Sequence, residues 1–273
     1  MNELFTPQWY KEQCEKLLMR PEKERGQHFL VNRTIAAKIA DAGELSTTDT
    51  VLEIGPGFGV LTTELVARAG NVIAVDADKK FEKVLGIQFL FINKDILEFD
   101  ERTLPKDYIL ISNLPYSITS NVLEKFLLSD NPPARIVLML QKEVVVRMTA
   151  KPPKMNRLAI LTQLYGVAKL VCNVSAGNFW PLPKVESAVV LIEPYAEGKG
   201  FVATLQDAGK SKSEFLSFVA AGFSSPRKKL ANNLESLIKN SRESLVQVGI
   251  NPNARPEEVE IKKWIELFLC AMQ

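Results

Sequence analysis

The chain has 273 residues, 46% of them apolar and 24% charged, which is enough to bury a full α/β core and still hold a small second domain. Its 34 Lys and Arg against 32 Asp and Glu leave a formal net charge of +2, which excludes a protein that coats nucleic acid non-specifically and confines any such contact to local patches. Cys14, Cys172 and Cys270 are far apart, no C-x-x-C pair is present and there is a single histidine, so neither a disulfide framework nor a zinc site is expected.

Residues 1–25 place Trp9, Tyr10, Cys14, Leu17 and Leu18 in a helical rhythm, which predicts a helix packed on the domain that follows. The start, Met-Asn-Glu-Leu-Phe, lacks the basic stretch, apolar core and small-residue site of a secretory signal, and no run is apolar enough to span a membrane. Cytoplasmic residence is therefore expected. Thr50-Val-Leu-Glu-Ile54 reads as a strand, Gly55, Gly57 and Gly59 as a glycine loop, and Val60 to Arg68 as a helix, which is the strand–loop–helix setting of a nucleotide site. The glycines run G-x-G-x-G and lack the third, pyrophosphate-demanding glycine of most dinucleotide sites. The next strand, Asn71-Val-Ile-Ala-Val-Asp76, ends on a carboxylate placed to accept from both hydroxyls of a ribose. Together these features point to S-adenosylmethionine.

After a strand at Phe89–Ile92, the apolar run Tyr108-Ile-Leu-Ile-Ser112 leads into Asn113-Leu114-Pro115-Tyr116. Alone, this tetrapeptide reads equally as a strand-ending turn, because Asn and Pro are both common turn residues. Beside the glycine loop and Asp76 it names a chemistry. The lone pair of an exocyclic amine is delocalised into its ring. The Asn113 side-chain oxygen and the Leu114 carbonyl can take its two N–H bonds and pull the nitrogen toward tetrahedral geometry, while Tyr116 stacks on the base. No acid–base pair, Ser-His-Asp set or metal cluster is needed, since the leaving group of a sulfonium is already cationic and positioning carries the catalysis.

Arg135–Leu140, Lys169–Val174 and Ala188–Ile192 complete the strand-like runs, and most of the strands are separated by segments long enough for a helix. The expectation is a doubly wound α/β sheet. The short Ser175–Val185 connection cannot hold a helical crossover, so its two strands form a hairpin and give the sheet an antiparallel member. Beyond Glu193-Pro194 the pattern turns helical, which puts a domain boundary near residue 197 and predicts an all-helical domain over residues 197–273. Ser225-Pro226 reads as a helix start with Arg227, Lys228 and Lys229 in its first turn, and Trp264 and Phe268 read as core of a final helix. Lys142, Arg147, Lys151, Lys154 and Arg157 form one basic cluster and Arg227, Lys228 and Lys229 a second, the candidates for phosphate contact.

The chain resembles the small-subunit rRNA adenine N6,N6-dimethyltransferases, the KsgA-like dimethyladenosine transferases. The likeness rests on Gly26-Gln-His-Phe-Leu30, Val51-Leu-Glu-Ile-Gly-Pro-Gly-Phe-Gly-Val-Leu-Thr62, Asn113-Leu-Pro-Tyr116, Met139-Leu-Gln-Lys-Glu143, Phe179-Trp-Pro-Leu-Pro-Lys-Val-Glu-Ser-Ala188 and Arg227-Lys-Lys-Leu-Ala-Asn-Asn-Leu234. It implies a Rossmann-like methyltransferase domain over residues 26–196 and twofold methylation of adenine N6 in ribosome biogenesis. It further implies that Gln27, His28 and Leu30 close over S-adenosylmethionine. Gly55, with Glu53 and Gly57 beside it, would approach the methionine part, Asp76 the ribose and Asp95 the adenine amine between Ala77 and Ile96. Asn113 would face donor and acceptor, and Phe179 would supply a second stacking ring. The segment between Asp76 and Asp95 is several residues shorter than is usual in that family. The implied partner is small-subunit rRNA within a ribosomal subunit precursor, met by a monomer without metal or membrane. Two other readings share the fold: a resistance-type methyltransferase of large-subunit rRNA, and a non-catalytic assembly or transcription factor. The tail argues against the former, the intact Gly55, Asp76, Asn113 and Tyr116 against the latter.

Overall fold

The computed structural model describes residues 4–21, 27–83, 89–196, 198–225 and 227–272. Its chain forms two compact units, one from residues 1–145 and 169–193, the other from residues 146–168 and 194–273. Residues 146–168, expected with the sheet, thus group with the helical tail, and the leader groups with the sheet. Gly26, Val84–Gln88, Glu197 and Pro226 carried the leader boundary, part of the shortened segment, the domain boundary and the helix start, and lie outside the described residues.

The elements in chain order are α1 (Pro7–Lys16), β1 (Phe29–Leu30), α2 (Arg33–Ala42), β2 (Thr50–Ile54), α3 (Val60–Val66), β3 (Asn71–Asp76), β4 (Leu90–Asn93) and β5 (Ile109–Asn113). There follow α4 (Thr119–Leu128), β6 (Arg135–Gln141), α5 (Lys142–Met148), α6 (Arg157–Tyr165), β7 (Gly166–Val174), β8 (Phe179–Trp180) and β9 (Ser187–Pro194). Seven strands form one sheet in the order β4-β3-β2-β5-β6-β9-β7. β2 runs parallel to β3 and β5, β3 to β4 and β5 to β6, while β9 lies antiparallel to β6. Helices cover such a parallel sheet on both faces, which is why its inner strands are nearly unbroken apolar runs; Ile136 to Leu140 of β6 are buried throughout. The connection from β7 to β9 is too short for a crossover, so β9 lies next to β7, and its other edge pairs with β6.

The strand order reverses between β2 and β5, which pair through Val51 with Ile109 and Leu52 with Leu110. Crossover connections leave an open crevice at such a point, just outside the carboxyl ends of the strands. The Ser112 hydroxyl donates to the Ile54 carbonyl at 2.6 Å and fastens the two strand ends together beneath that crevice. A second, two-stranded sheet pairs Phe29 with Trp180 and Leu30 with Phe179, tying the segment before α2 to the hairpin before β9.

The helical unit adds α7 (Gly200–Asp207), α8 (Lys212–Gly222), α9 (Leu230–Leu234), α10 (Ser241–Gln247) and α11 (Ile261–Ala271) to α6. Ser211 and Glu214 close a reciprocal cap at the start of α8. Trp264 and Phe268 are fully buried in this core, Trp264 stacked on Phe223 at 5.4 Å and edge-on to Phe218 at 6.2 Å. A Cβ on Gly222 would lie 2.3 Å from the Trp264 ring, so only glycine admits the tryptophan there. One expectation is corrected. The helix after Ser225 begins at Leu230 and not in the Arg227–Lys229 stretch, because Lys229 is extended (ψ 148) and the Leu230 N–H donates out of the segment, to the Ala254 carbonyl at 2.9 Å. Leu230 and Leu234 face inward as expected, whereas Leu237 is exposed.

Candidate active site

The carboxyl ends of β2, β3, β4 and β5 surround a cavity of about 520 Å3 whose walls all come from the sheet unit. On one side lies the glycine loop, where Gly55, Gly57 and Gly59 have φ of +68, +53 and +81 in the left-handed region. At Gly57 a Cβ would also sit 3.2 Å from the Phe29 ring, a tight contact that the ring would have to yield to. The Gly55 N–H donates to the Val75 carbonyl at 2.9 Å, which ties the loop to the end of β3. The result is bare backbone facing the cavity beside a carboxylate.

That carboxylate is Asp76. Its Oδ1 accepts from the Asp78 N–H at 2.8 Å, and the Gly57 N–H bonds it as well. Burial outweighs both and pushes its pKa up to about 6. Glu53, 1% exposed, stands on the adjacent strand, and burial, opposed by the Thr62 hydroxyl and aided by the Asp76 charge, raises its carboxyl to about 8. Between those two values Asp76 is ionised and Glu53 protonated. Oε2 of Glu53 has no hydrogen-bond partner among the described residues, an orphaned polar atom on a residue that lines the cavity. On the next wall the Asn93 amide donates to the Asp76 and Ala77 carbonyls, each at 3.0 Å, and holds β4 against the end of β3. Asp95 follows with its Oδ1 accepting from the Leu97 N–H at 2.9 Å, and Ile96 is a buried wall.

The opposite side is the turn after β5. Asn113 ends the strand opposite Met139, Leu114 is buried, and the Tyr116 hydroxyl shares a 2.8 Å hydrogen bond with that of Ser187. The His28 ring sits 6.0 Å from the Tyr116 ring, and its Nδ1 is 2.8 Å from the Pro181 carbonyl. Asn113 thus stands at a strand end, while Tyr116 is pinned to the first residue of β9 and His28 to the segment that precedes it.

Gln27, His28, Leu30, Glu53, Gly55, Gly57, Asp76, Ala77, Asp95, Ile96 and Asn113 to Tyr116 all line this one cavity. Phe179 does not. Expected as a second stacking ring, it is 5% exposed, belongs to the core cluster of this unit, and pairs with the cavity-lining Leu30 in the small sheet. The sequence reading missed Tyr10 of α1, which lines the cavity from a segment to which no role was given, and Phe58 within the glycine loop. Among the described residues, no group of three or more His, Cys, Asp or Glu is placed to hold a metal ion.

The basic candidates divide. Lys142 belongs to the sheet unit and is ion-paired at 2.7 Å with Glu186. Arg147, Lys151, Lys154, Arg157 and Arg227 to Lys229 belong to the helical unit and are exposed. Both of these clusters are fastened to one segment: the Met155 N–H donates to the Glu257 carbonyl and the Leu230 N–H to the Ala254 carbonyl, each at 2.9 Å. Exposed Arg255 lies between those two anchor points and was not anticipated. Lys229 is partly engaged, donating to Asn253 at 2.7 Å.

The sequence model of the family described as ribosomal RNA adenine dimethylase matches residues 20–273. A protein named ribosomal RNA small subunit methyltransferase A from Dehalococcoides mccartyi is 39% identical over 275 residues, covering 95% of this chain and 91% of that protein. A protein of the same name from Acaryochloris marina is 36% identical, covering 91% and 96%. Among solved structures, a dimethyladenosine transferase from Plasmodium falciparum superposes with a TM-score of 0.71 at 26% identity, covering 88% of this chain and 96% of that one. The 23S rRNA methyltransferase ErmE superposes with a TM-score of 0.70 at 26% identity, covering 90% and 100%.

Proposed function

This chain belongs to the ribosomal RNA adenine dimethylase family, and from that premise we propose that it transfers methyl groups from S-adenosylmethionine to N6 of adenines in small-subunit rRNA, twice per adenine. One observation carries the proposal: Asp76, the glycine loop and the Asn113–Tyr116 turn line a single cavity at the strand switch. The cavity suits the cofactor. It offers bare glycine backbone, an ionisable acceptor for a ribose diol in Asp76, an apolar wall in Ile96, and the orphaned Glu53 oxygen, which a cationic or hydrogen-donating group would satisfy. Bound there, S-adenosylmethionine supplies a methyl group activated by a positive sulfur.

The chain's own part is to hold the acceptor. The Asn113 side-chain oxygen and the Leu114 carbonyl take the two N–H bonds of the adenine amine and localise its lone pair, Pro115 fixes the turn, and the Tyr116 ring stacks on the base. The Tyr116–Ser187 hydrogen bond keeps that ring from swinging out. Once alkylated, the amine is cationic and acidic enough to lose its proton to water, so no side-chain base is required. The exposed cations of the helical unit, with Arg255 among them, would take rRNA phosphates.

Likeness to ErmE supports a competing target, large-subunit rRNA, whereas the small-subunit names belong to the relatives of higher identity. Mass spectrometry of nucleosides from each rRNA, in strains with and without the protein, separates the readings. Dimethyladenosine lost from small-subunit rRNA supports the proposal, and its loss from large-subunit rRNA supports the other target. No change in either would sink both.

A further inference from the structure

The family match begins at residue 20, so α1 lies outside it, yet a residue of α1 lines the cavity. The helix is locally well determined. Thr6 caps it, its side chain accepting from the Trp9 N–H at 3.2 Å, Pro7 opens the first turn, and Tyr10 and Cys14, one turn apart, are its buried face. Tyr10 is 0% exposed, and its hydroxyl donates to the Leu30 carbonyl at 2.7 Å. Its ring lies nearly parallel to Phe29 (5.8 Å, 11°) and Trp180 (5.9 Å, 23°) and edge-on to Phe58 (5.1 Å, 82°).

Those partners come from three different parts of the site. Phe58 is in the glycine loop, Phe29 and Leu30 are in the segment that lines the cavity with Gln27 and His28, and Trp180 is in the hairpin that anchors His28 through Pro181. Further bonds hold that segment to the hairpin: the Val31 N–H donates to the Asn178 carbonyl at 2.8 Å, and the Asn32 amide to the Asn178 side chain at 2.8 Å. Tyr10 therefore packs under the junction of the cofactor wall and the acceptor wall. Just before α1, Phe5 is buried with φ +66, a left-handed conformation costly for a bulky residue, and its ring meets Trp9 at 5.2 Å. The leader is held in an unfavourable backbone state by its packing, which a passive tail would not need.

We propose that α1 is a working part of the methyl-transfer site, with Tyr10 a positioning residue that locks the glycine loop, the Gln27–Leu30 segment and the Phe179–Trp180 hairpin in one arrangement. The inference rests on the reading of the cavity as an S-adenosylmethionine site. By linkage, if an ordered α1 favours the cofactor, then the cofactor orders α1 to the same degree.

Two measurements on the full chain test it. In the wild type, saturating S-adenosylmethionine should slow hydrogen exchange across residues 7–16, whose buried Tyr10 lies behind the cavity wall and not in contact with the cofactor. Unchanged exchange there overturns the proposal. Calorimetry should show Tyr10→Ala weakening S-adenosylmethionine about tenfold, and Tyr10→Phe, which keeps the rings and removes the donor to Leu30, weakening it less. A purely structural leader would lower the melting temperature of both variants and leave affinity within twofold of wild type, which also overturns the proposal. If Tyr10→Ala fails to fold, Tyr10→Phe and the exchange experiment decide. Wild-type protein that binds no S-adenosylmethionine refutes the cavity reading itself, a different failure.

Discussion

Asp76 should make cofactor binding depend on pH in a way set by its burial. Its carboxyl is raised from 3.8 to about 6, largely by desolvation, against the pull of the Asp78 and Gly57 N–H groups. A ribose diol offers two donors and needs the ionised form, which accepts with both oxygens. Protons and cofactor therefore compete. Affinity is flat above about pH 7 and falls tenfold per unit below the folded pKa, so at pH 5 it stands about tenfold, or ~1.4 kcal/mol, under the plateau. Asp76→Asn keeps the shape and removes both the charge and this dependence, and it should weaken binding at pH 7.5 by about 1–3 kcal/mol, the cost of leaving buried hydroxyls poorly paired. Stability moves in the opposite sense. The folded state holds this proton more tightly than the unfolded one, so ionisation costs stability as pH rises from about 4 to about 6, and bound cofactor recovers it. Titration calorimetry between pH 5 and 8 reads the effect, with proton release on binding measured in two buffers. Wild-type affinity that is level across the range, or an Asn variant that retains the wild-type slope, would refute the assignment of Asp76 to the ribose.

Glu53, raised from 4.5 to about 8 by burial, should cost stability as pH climbs through that window, by an amount on the order of a few kcal/mol. Wild-type melting temperature is expected to fall between pH 5 and 8, and Glu53→Gln to flatten the fall; parallel curves would remove Glu53 as its source. Asn113→Ala and Tyr116→Ala should lower the single-turnover methylation rate at saturating cofactor far more than they lower cofactor affinity, with loss of stacking alone worth about 1–3 kcal/mol. Tyr116→Phe, which breaks only the bond to Ser187, should cost about 1 kcal/mol; near wild-type rates in all three would make the turn structural. Replacing Arg227, Lys228 and Lys229 with Glu should weaken rRNA binding and flatten its salt dependence by about 0.7–0.9 in slope for each phosphate no longer neutralised. An unaltered salt slope, or lost cofactor binding, would count against steering by this segment.

How far the sequence foretold the molecule depended on how local each determinant is. The strand–glycine–helix run at Thr50–Arg68 and the apolar strand before Asn113 are written in neighbouring residues, and the carboxyl-end placement of Gly55, Asp76 and Asn113 follows from the doubly wound topology. That the last two strands are neighbours was readable from connection length; that β9 pairs with β6 was not. The start of α9 was not, because it is decided by a hydrogen bond from Leu230 to Ala254, residues far apart in the chain. The reach of the helical unit back to residue 146 was hidden for a related reason: α6 is apolar enough to suit either core, and it settles against α7, α8 and α11.

The places of Phe179 and Tyr10 both depend on one small sheet. Phe179 sits in a motif that resembles a base-stacking loop and pairs with Leu30, both of them buried. The same pairing presents Trp180 and Phe29 together, and Tyr10 stacks against that pair from a leader whose helical rhythm alone gave no function. A periodicity argument places Tyr10 on the buried face of α1 but cannot say what that face covers. That information is held in Leu30, Phe58 and Trp180, each in a different part of the chain, and it emerges only when the strands close. The site is therefore legible in sequence where backbone chemistry and charge define it, at the glycines, Asp76 and Asn113. It is illegible where aromatic packing from distant segments holds those groups in register.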